Sequence, residues 1–144
     1  MKFSNLYLLI SFLLLFSSED LLSKTGNDTI FDYLEKNISS DNDSILLILN
    51  NQILLAKANG DSVTSAKACY VLGKYYIIRT FNFPVAYNYF IRALLNFNKF
   101  NLVKEVGKCE MQIGLIYYLQ RNFDEAGNYF ESSFKKMILI SDSV

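Results

Sequence analysis

Few residues of this chain could do chemistry, and the absence of histidine is the main reason. The 144 residues include no His, 14 Asp and Glu, 14 Lys and Arg, and two Cys. Histidine is the commonest general base and metal ligand, so a Ser-His-Asp arrangement and the usual zinc ligands are excluded. Asp41 and Asp43 lie in a polar loop that lacks the Gly and Glu of a calcium loop. We therefore predict no catalytic residue, no metal site and no cofactor, and we expect a protein that is not an enzyme.

The remaining reactive side chains are the two cysteines, Cys69 and Cys109, which are far apart in the chain. In an exported protein they could form a disulfide. The favoured interpretation is that both are free and buried, because this is the usual role of cysteine on the core face of a helix. The sequence leaves both possibilities open.

Charge and composition indicate a folded protein that does not bind nucleic acid. Acidic and basic residues are equal in number, whereas a nucleic-acid interface needs a basic patch or stripe. The chain is 51% hydrophobic and 19% charged, which is too apolar for intrinsic disorder.

The N-terminus has the pattern of an export signal. Lys2 precedes residues 6–16, an apolar run interrupted only by Ser11. Such a run fits the apolar region of a signal peptide and is shorter than the roughly 20 residues that span a bilayer. We predict a signal peptide over residues 1–23 with an undefined cleavage site, and hence a periplasmic or extracellular protein. An uncleaved segment would tether the chain to a membrane; the alternative is a buried apolar helix.

An internal repeat is visible in the second half of the chain. Residues 82–90 read NFPVAYNYF and residues 122–130 read NFDEAGNYF, with six of nine positions identical. A glycine followed by aromatic residues precedes each copy, at Gly73 and at Gly114. A repeat of about 40 residues is typical of stacked helical units.

The spacing of apolar residues predicts helices throughout. Residues 66–79, 84–98, 108–120 and 124–140 have apolar side chains three and four positions apart, without the alternation of a strand. Breaks are predicted at residues 59–61 and 98–101. Pro84 and Asp124 suit the first turn of a helix. The expected fold class is all-α.

These residues resemble the tetratricopeptide repeat, a helix–turn–helix unit that is usually about 34 residues long. The longer spacing found here is similar to the extended variety of that family. The resemblance implies antiparallel helix pairs stacked as a short right-handed α-solenoid. Cys69 and Glu110 depart from it, since they replace bulky apolar residues. The residues that match the repeat signature are Leu72, Gly73, Tyr76, Ala86, Phe90, Ala93, Ile113, Gly114, Tyr117, Ala126 and Phe130.

The resemblance divides the chain into a degenerate first helical pair over residues 28–61 and two repeats over 62–101 and 102–141. The segment from Gly114 to Ala126 in the second repeat is one residue shorter than the segment from Gly73 to Ala86 in the first. We therefore expect a longer turn in the first repeat.

In the tetratricopeptide family the first helix of each pair lines a concave groove. The resemblance places eight residues in this predicted groove, which combines three lysines with apolar and aromatic side chains. A peptide or protein with acidic and apolar side chains would suit it. The alternative is that its apolar members pack against a further helix and its lysines are solvated. The eight residues are Lys67, Tyr70, Lys74, Ile77, Lys108, Met111, Leu115 and Tyr118.

The functional hypothesis is an exported interaction module or scaffold that binds a peptide or protein through this groove. The alternative hypothesis is the truncated sensor region of a signalling protein, either a histidine kinase or a helix-turn-helix transcriptional regulator. Residues 137–140 are apolar and no polar capping helix follows them. Because terminal repeats normally need such a cap, we also predict self-association through the last repeat.

Overall fold

The computed structural model describes residues 24–39 and 44–141. The predicted signal peptide and most of the loop at 39–43 lie outside these ranges. The described residues form six α-helices and no strand, which confirms the all-α prediction. The helices are α1 (Lys24–Lys36), α2 (Ser44–Ala58), α3 (Ser62–Thr80), α4 (Phe83–Lys99), α5 (Val103–Leu119) and α6 (Phe123–Ser141).

The chain divides into two compact units between Tyr33 and Leu34. The described part of the first unit is the greater part of α1. In the second unit each helix from α2 to α6 packs against the next one along the chain, and the α3–α4 and α5–α6 pairs are the most extensive. Short connections make such neighbours antiparallel. The helices are therefore packed sequentially in adjacent antiparallel pairs.

Polar residues cap the starts of three helices. The Asp61 carboxylate accepts a hydrogen bond from the backbone N–H of Thr64 at 2.9 Å, at the start of α3. The Asn82 side chain accepts one from the N–H of Val85 at 3.2 Å, beside Pro84 in the first turn of α4. Each cap satisfies a backbone donor that the helix itself leaves without a partner. In the second repeat Asn122 takes the corresponding place before α6, 3.4 Å from the N–H of Glu125.

The sequence repeat is also a repeat of side-chain contacts. The Phe90 ring of α4 lies on Gly73 of α3, and the Phe130 ring of α6 lies on Gly114 of α5. Tyr76 stacks on Tyr89 with ring centroids 5.5 Å apart. Tyr117 likewise stacks on Tyr129 at 5.6 Å. The two pairs thus share one packing scheme.

The prediction of a longer first turn is wrong. Two residues, Phe81 and Asn82, join α3 to α4, whereas residues 120–122 join α5 to α6. The extra residue of the first repeat extends α3, which has 19 residues against 17 in α5. Phe81 ends α3 in the left-handed conformation, with φ 52°, and Arg121 adopts the same conformation, with φ 63°, in the longer connection after α5.

The first pair is less regular than the two repeats. Helix α1 begins at Lys24, earlier than the predicted start of the pair, and α2 lies within the predicted range of 28–61. One face of α2 is buried at Ile45, Leu49, Ile53 and Ala56, with Leu46 half-buried.

Candidate functional site

One face of α5 carries an exposed row of basic and apolar side chains. Met111 is 46% exposed and Tyr118 is 53% exposed, while Leu115 between them is half-buried. Spacings of three and four residues place these side chains on one side of a helix. Continuing the row toward the N-terminus adds two lysines. We call this row the α5 stripe; its members are Lys104, Lys108, Met111, Leu115 and Tyr118.

The opposite side of α5 is the one that holds it in the fold. Cys109, Ile113 and Ile116 are buried there, and Gly114 lies under the Phe130 ring. These contacts fix the rotation of α5 and leave Met111 and Tyr118 exposed on another side of the helix. Four of the eight residues of the predicted groove are therefore brought together on one surface.

Lys104 belongs to this surface although the groove prediction did not include it. It is exposed and lies one turn before Lys108. Its spacing of four residues from Lys108 could have placed it on the same face. The groove prediction missed it because the residues of α5 that match the repeat signature begin only at Ile113.

The α3 half of the predicted groove is largely covered. Ile77 is only 7% exposed and packs with Phe90, Ile113 and Ile116 in the core. It therefore belongs to the core rather than to an exposed surface. Helix α3 lies between α2 and α4 and contacts both, so little of its surface is left for a ligand.

The three other α3 residues of the predicted groove are half-buried. Tyr70 makes an edge contact with Phe90 at 5.7 Å between ring centroids. Burial, with a smaller contribution from the Glu35 carboxylate, raises the pKa of Tyr70 far above its ordinary value. Lys74 forms an ion pair with Glu35 near the end of α1. Lys67 is half-buried. This half of the predicted groove is thus less accessible than the α5 stripe.

The charge of the α5 stripe is positive at its N-terminal end. The two glutamates of α5 lie off the stripe, and one of them is engaged on the α6 side. Glu110 Oε1 is 2.8 Å from Lys136 Nζ, and the Glu110 side chain is largely buried. The Lys108 charge is therefore not neutralised by an acidic residue of the stripe itself.

The other end of the α5 stripe continues onto α6. The Tyr118 ring makes an edge contact with Phe123, with centroids 5.6 Å apart. Phe123 is 60% exposed, so these two aromatic side chains form an apolar end to a surface that begins with lysines.

A separate open cavity of about 320 Å³ lies between the start of α4 and the end of α5. Tyr117 lies on its wall, and a hydrogen bond with Tyr87 together with desolvation raises the pKa of Tyr117 to about 12. A tyrosine that holds its proton so firmly is a poor base near neutral pH. The lining residues are Phe83, Pro84, Tyr87, Asn88, Ile116, Tyr117 and Gln120.

The cysteines are free and buried, which settles the alternative that the sequence left open. Burial raises the pKa of the Cys69 thiol and that of the Cys109 thiol. Because the thiolate is the nucleophile, this environment keeps both side chains unreactive. Among the described residues, His, Cys, Asp and Glu form no group of three that could hold a metal ion.

Within residues 24–39 and 44–141, no helix combines the length and apolar character that crossing a membrane requires. Comparisons with models of known protein families, with curated proteins and with solved structures found no match to this chain.

Proposed function

We propose that this chain is a tetratricopeptide-like interaction module that binds a peptide or protein segment on the α5 stripe, without a catalytic step. The observation that carries the proposal is the exposure of Met111 and Tyr118 on one helix face beside Lys108. Aromatic and Met side chains supply contact area in interfaces, and lysines at the edge attract acidic partners.

The repeated contacts between helices support the tetratricopeptide-like part of the proposal. Small residues at Gly73 and Gly114 allow a Phe ring of the second helix to lie directly on the first. Neighbouring pairs that pack only on each other are characteristic of helical repeats. In such an arrangement the first helix of the last pair, α5, keeps one face available.

The polarity of the α5 stripe suggests how a ligand is oriented. Carboxylates of the ligand would lie near Lys104 and Lys108, and its apolar side chains near Leu115 and Tyr118. We therefore propose a segment that has acidic residues at one end and bulky apolar residues at the other. Export to the periplasm or the extracellular space stays a prediction from residues 1–23, and the sensor hypothesis stays an alternative.

A displayed library of random peptides, selected on the full chain, tests this proposal. An enriched peptide is synthesised with a fluorescent label and titrated with wild type, Lys108→Glu and Tyr118→Ser by anisotropy. Each substitution should weaken binding by about tenfold, as loss of an interface contact worth about 1.4 kcal/mol does. Selected peptides should be acidic and apolar.

Matched controls lie on the exposed side of α4. Lys99→Glu makes the same charge change, and Leu95→Ser removes an equally exposed apolar side chain, since Leu95 is 64% exposed. Neither should alter the affinity. The assignment of the site to the α5 stripe would be contradicted if the control substitutions weakened binding equally. It would also be contradicted if the Lys108→Glu and Tyr118→Ser variants bound the enriched peptides as tightly as wild type.

A further inference from the structure

The outer side of α6 presents four large apolar side chains to solvent. Phe123 is 60% exposed, Phe130 37%, Phe134 65% and Ile138 41%. Their spacing of seven, four and four residues aligns them along one side of the helix. We call this row the α6 stripe. So continuous an apolar surface is characteristic of an interface rather than of scattered exposed residues.

In the first repeat, the residues that correspond to part of the α6 stripe are packed against another helix. Phe90 and Leu94 hold the places in the first repeat that Phe130 and Phe134 hold in the second. Phe90 is fully buried in the core cluster with Ile113 and Ile116 of α5, and Leu94 packs against the same cluster. Helix α6 therefore exposes large apolar side chains at positions where α4 packs its own against another helix.

Gly127, on the same side of α6 as the α6 stripe, leaves space for a bulky side chain from a partner. A Cβ at Gly73, Gly107 or Gly114 would lie within 3.1 Å of a Phe or Met side chain from the neighbouring helix. Gly127 has no such neighbour within 4 Å. It lies four residues after Phe123 and seven before Phe134, so it belongs to the same side of α6.

Charges beside the α6 stripe select an antiparallel partner. Asp124 lies at the N-terminal end, Glu131 in the middle and Lys135 near the C-terminal end of the same solvent-facing edge, and Lys135 pairs with Glu131 at 2.7 Å. Two copies of α6 in parallel would bring like charges together. In the antiparallel register that places Phe134 on Gly127 of a second copy, Phe123 meets Ile138 and Asp124 comes within two residues of Lys135. Glu131 then lies near Glu131 of the other copy, which is one like-charge contact where a parallel pair would have three.

We propose that α6 pairs with α6 of a second copy of this chain, antiparallel and about a two-fold axis, to form a homodimer. Each Phe134 ring lies on Gly127 of the other copy, as Phe90 lies on Gly73 within one copy. The same surface on both copies closes the assembly at two chains. The α6 stripe meets the α5 stripe at Phe123, which contacts Tyr118, whereas Phe130, Phe134 and Ile138 lie outside the α5 stripe.

Sedimentation velocity of the full chain over a concentration series tests the proposal. We expect a monomer–dimer equilibrium, and at least a tenfold weaker dimer for Phe134→Glu and for Gly127→Leu. Gly127→Leu is informative because no atom beyond the adjoining backbone of α6 lies within 4 Å of the added Cβ, so the monomer should fold unchanged, as its circular dichroism would show. Leu95→Glu, at an exposed leucine of α4, should leave the dimer intact.

Thiol cross-linking tests the orientation. Phe123→Cys and Ile138→Cys should cross-link with a short bis-maleimide when the two variants are mixed, and Phe123→Cys alone should not. The native cysteines are buried and should not compete. A chain that stays monomeric, grows into open-ended oligomers, or dimerises equally well after Phe134→Glu or Gly127→Leu would overturn the proposal. Cross-linking of Phe123→Cys to itself would overturn the antiparallel arrangement.

Discussion

Gly73 and Gly114 hold equivalent places in the repeat but have unequal neighbours. A Cβ at Gly73 would lie 2.7 Å from the Phe90 ring, which is fully buried. A Cβ at Gly114 would lie 2.8 Å from the Phe130 ring, which is 37% exposed. A ring with an open side can move away from a new methyl group, whereas a ring enclosed by the core cannot.

We expect Gly73→Ala to lower the free energy of unfolding by about 1–3 kcal/mol through overpacking. Gly114→Ala should cost less, because the partly exposed Phe130 ring can shift, although Tyr129 Cβ would also lie 3.2 Å from the added atom. The gain of about 0.5–1 kcal/mol in helix propensity applies to both variants. Urea unfolding followed by circular dichroism measures both, at protein concentrations where the chain is monomeric. Equal losses would show that Phe130 is held as firmly as Phe90.

At the scale of the helix, the start of α3 depends on one side chain. Asp61 accepts hydrogen bonds from Thr64, and these bonds hold the pKa of the Asp61 carboxyl below its ordinary value of 3.8. A lowered pKa in the folded state means that the charged form stabilises the fold. This contribution is present above pH 3.8 and is lost as the pH falls through the lower folded-state value.

We expect Asp61→Ala to lower the free energy of unfolding at pH 7 by about 1 kcal/mol, which is typical for loss of an N-cap. Asp61→Asn keeps a capping side chain without a charge. Its thermal midpoint should therefore depend less on pH below 3.8 than that of wild type. Thermal melts between neutral and acid pH compare the three proteins. An unaltered pH dependence in the Asn variant would argue that the carboxylate contributes nothing there.

The helices themselves follow from local sequence. Pro84 and the Asn82 cap start α4 where the pattern predicted, and the break near Gly60 separates α2 from α3. Periodicity, caps and turn residues act over a few positions, so a sequence shows them directly. The exact ends of α3 and α5 were not predictable in this way, because Phe81 and Arg121 adopt a left-handed conformation that is uncommon outside glycine.

Across the molecule, burial is distributed unevenly among helices of equal length. Helix α3 buries nine of its 19 residues, whereas α6 buries two of its 19, Ala126 and Ser133. Helix α3 packs between two neighbours, and α6 packs mainly against α5. Local opening costs more where more apolar surface must be exposed, so the helices should differ in stability.

We expect amide hydrogen exchange to be slowest in α3 and fastest in α6 when the chain is dilute. Exchange read by mass spectrometry on proteolytic fragments resolves the two helices. Raising the protein concentration should slow exchange in α6 more than in α3 if α6 forms the proposed dimer interface. Uniform protection of all helices in dilute solution would contradict the idea that α6 is the weaker element.

The candidate site could also be predicted only in part from the sequence. Sequence reasoning identified Met111, Leu115 and Tyr118 as groove residues, and the structure does expose them or leave them half-buried on one face. It also identified Ile77, which the structure buries. Ile77 and Tyr118 have corresponding places in the repeat, so the signature alone does not distinguish them.

The sequence by itself determined the helices, their boundaries to within a few residues, and the glycine and aromatic positions of the repeat. Each of these depends on side chains near one another along the chain. Only the tertiary structure decided that Phe90 is buried while Phe130 is exposed, and that Ile77 belongs to the core. The physical reason is that burial depends on which helix packs against a surface, and equivalent positions in a repeat do not have equivalent neighbours.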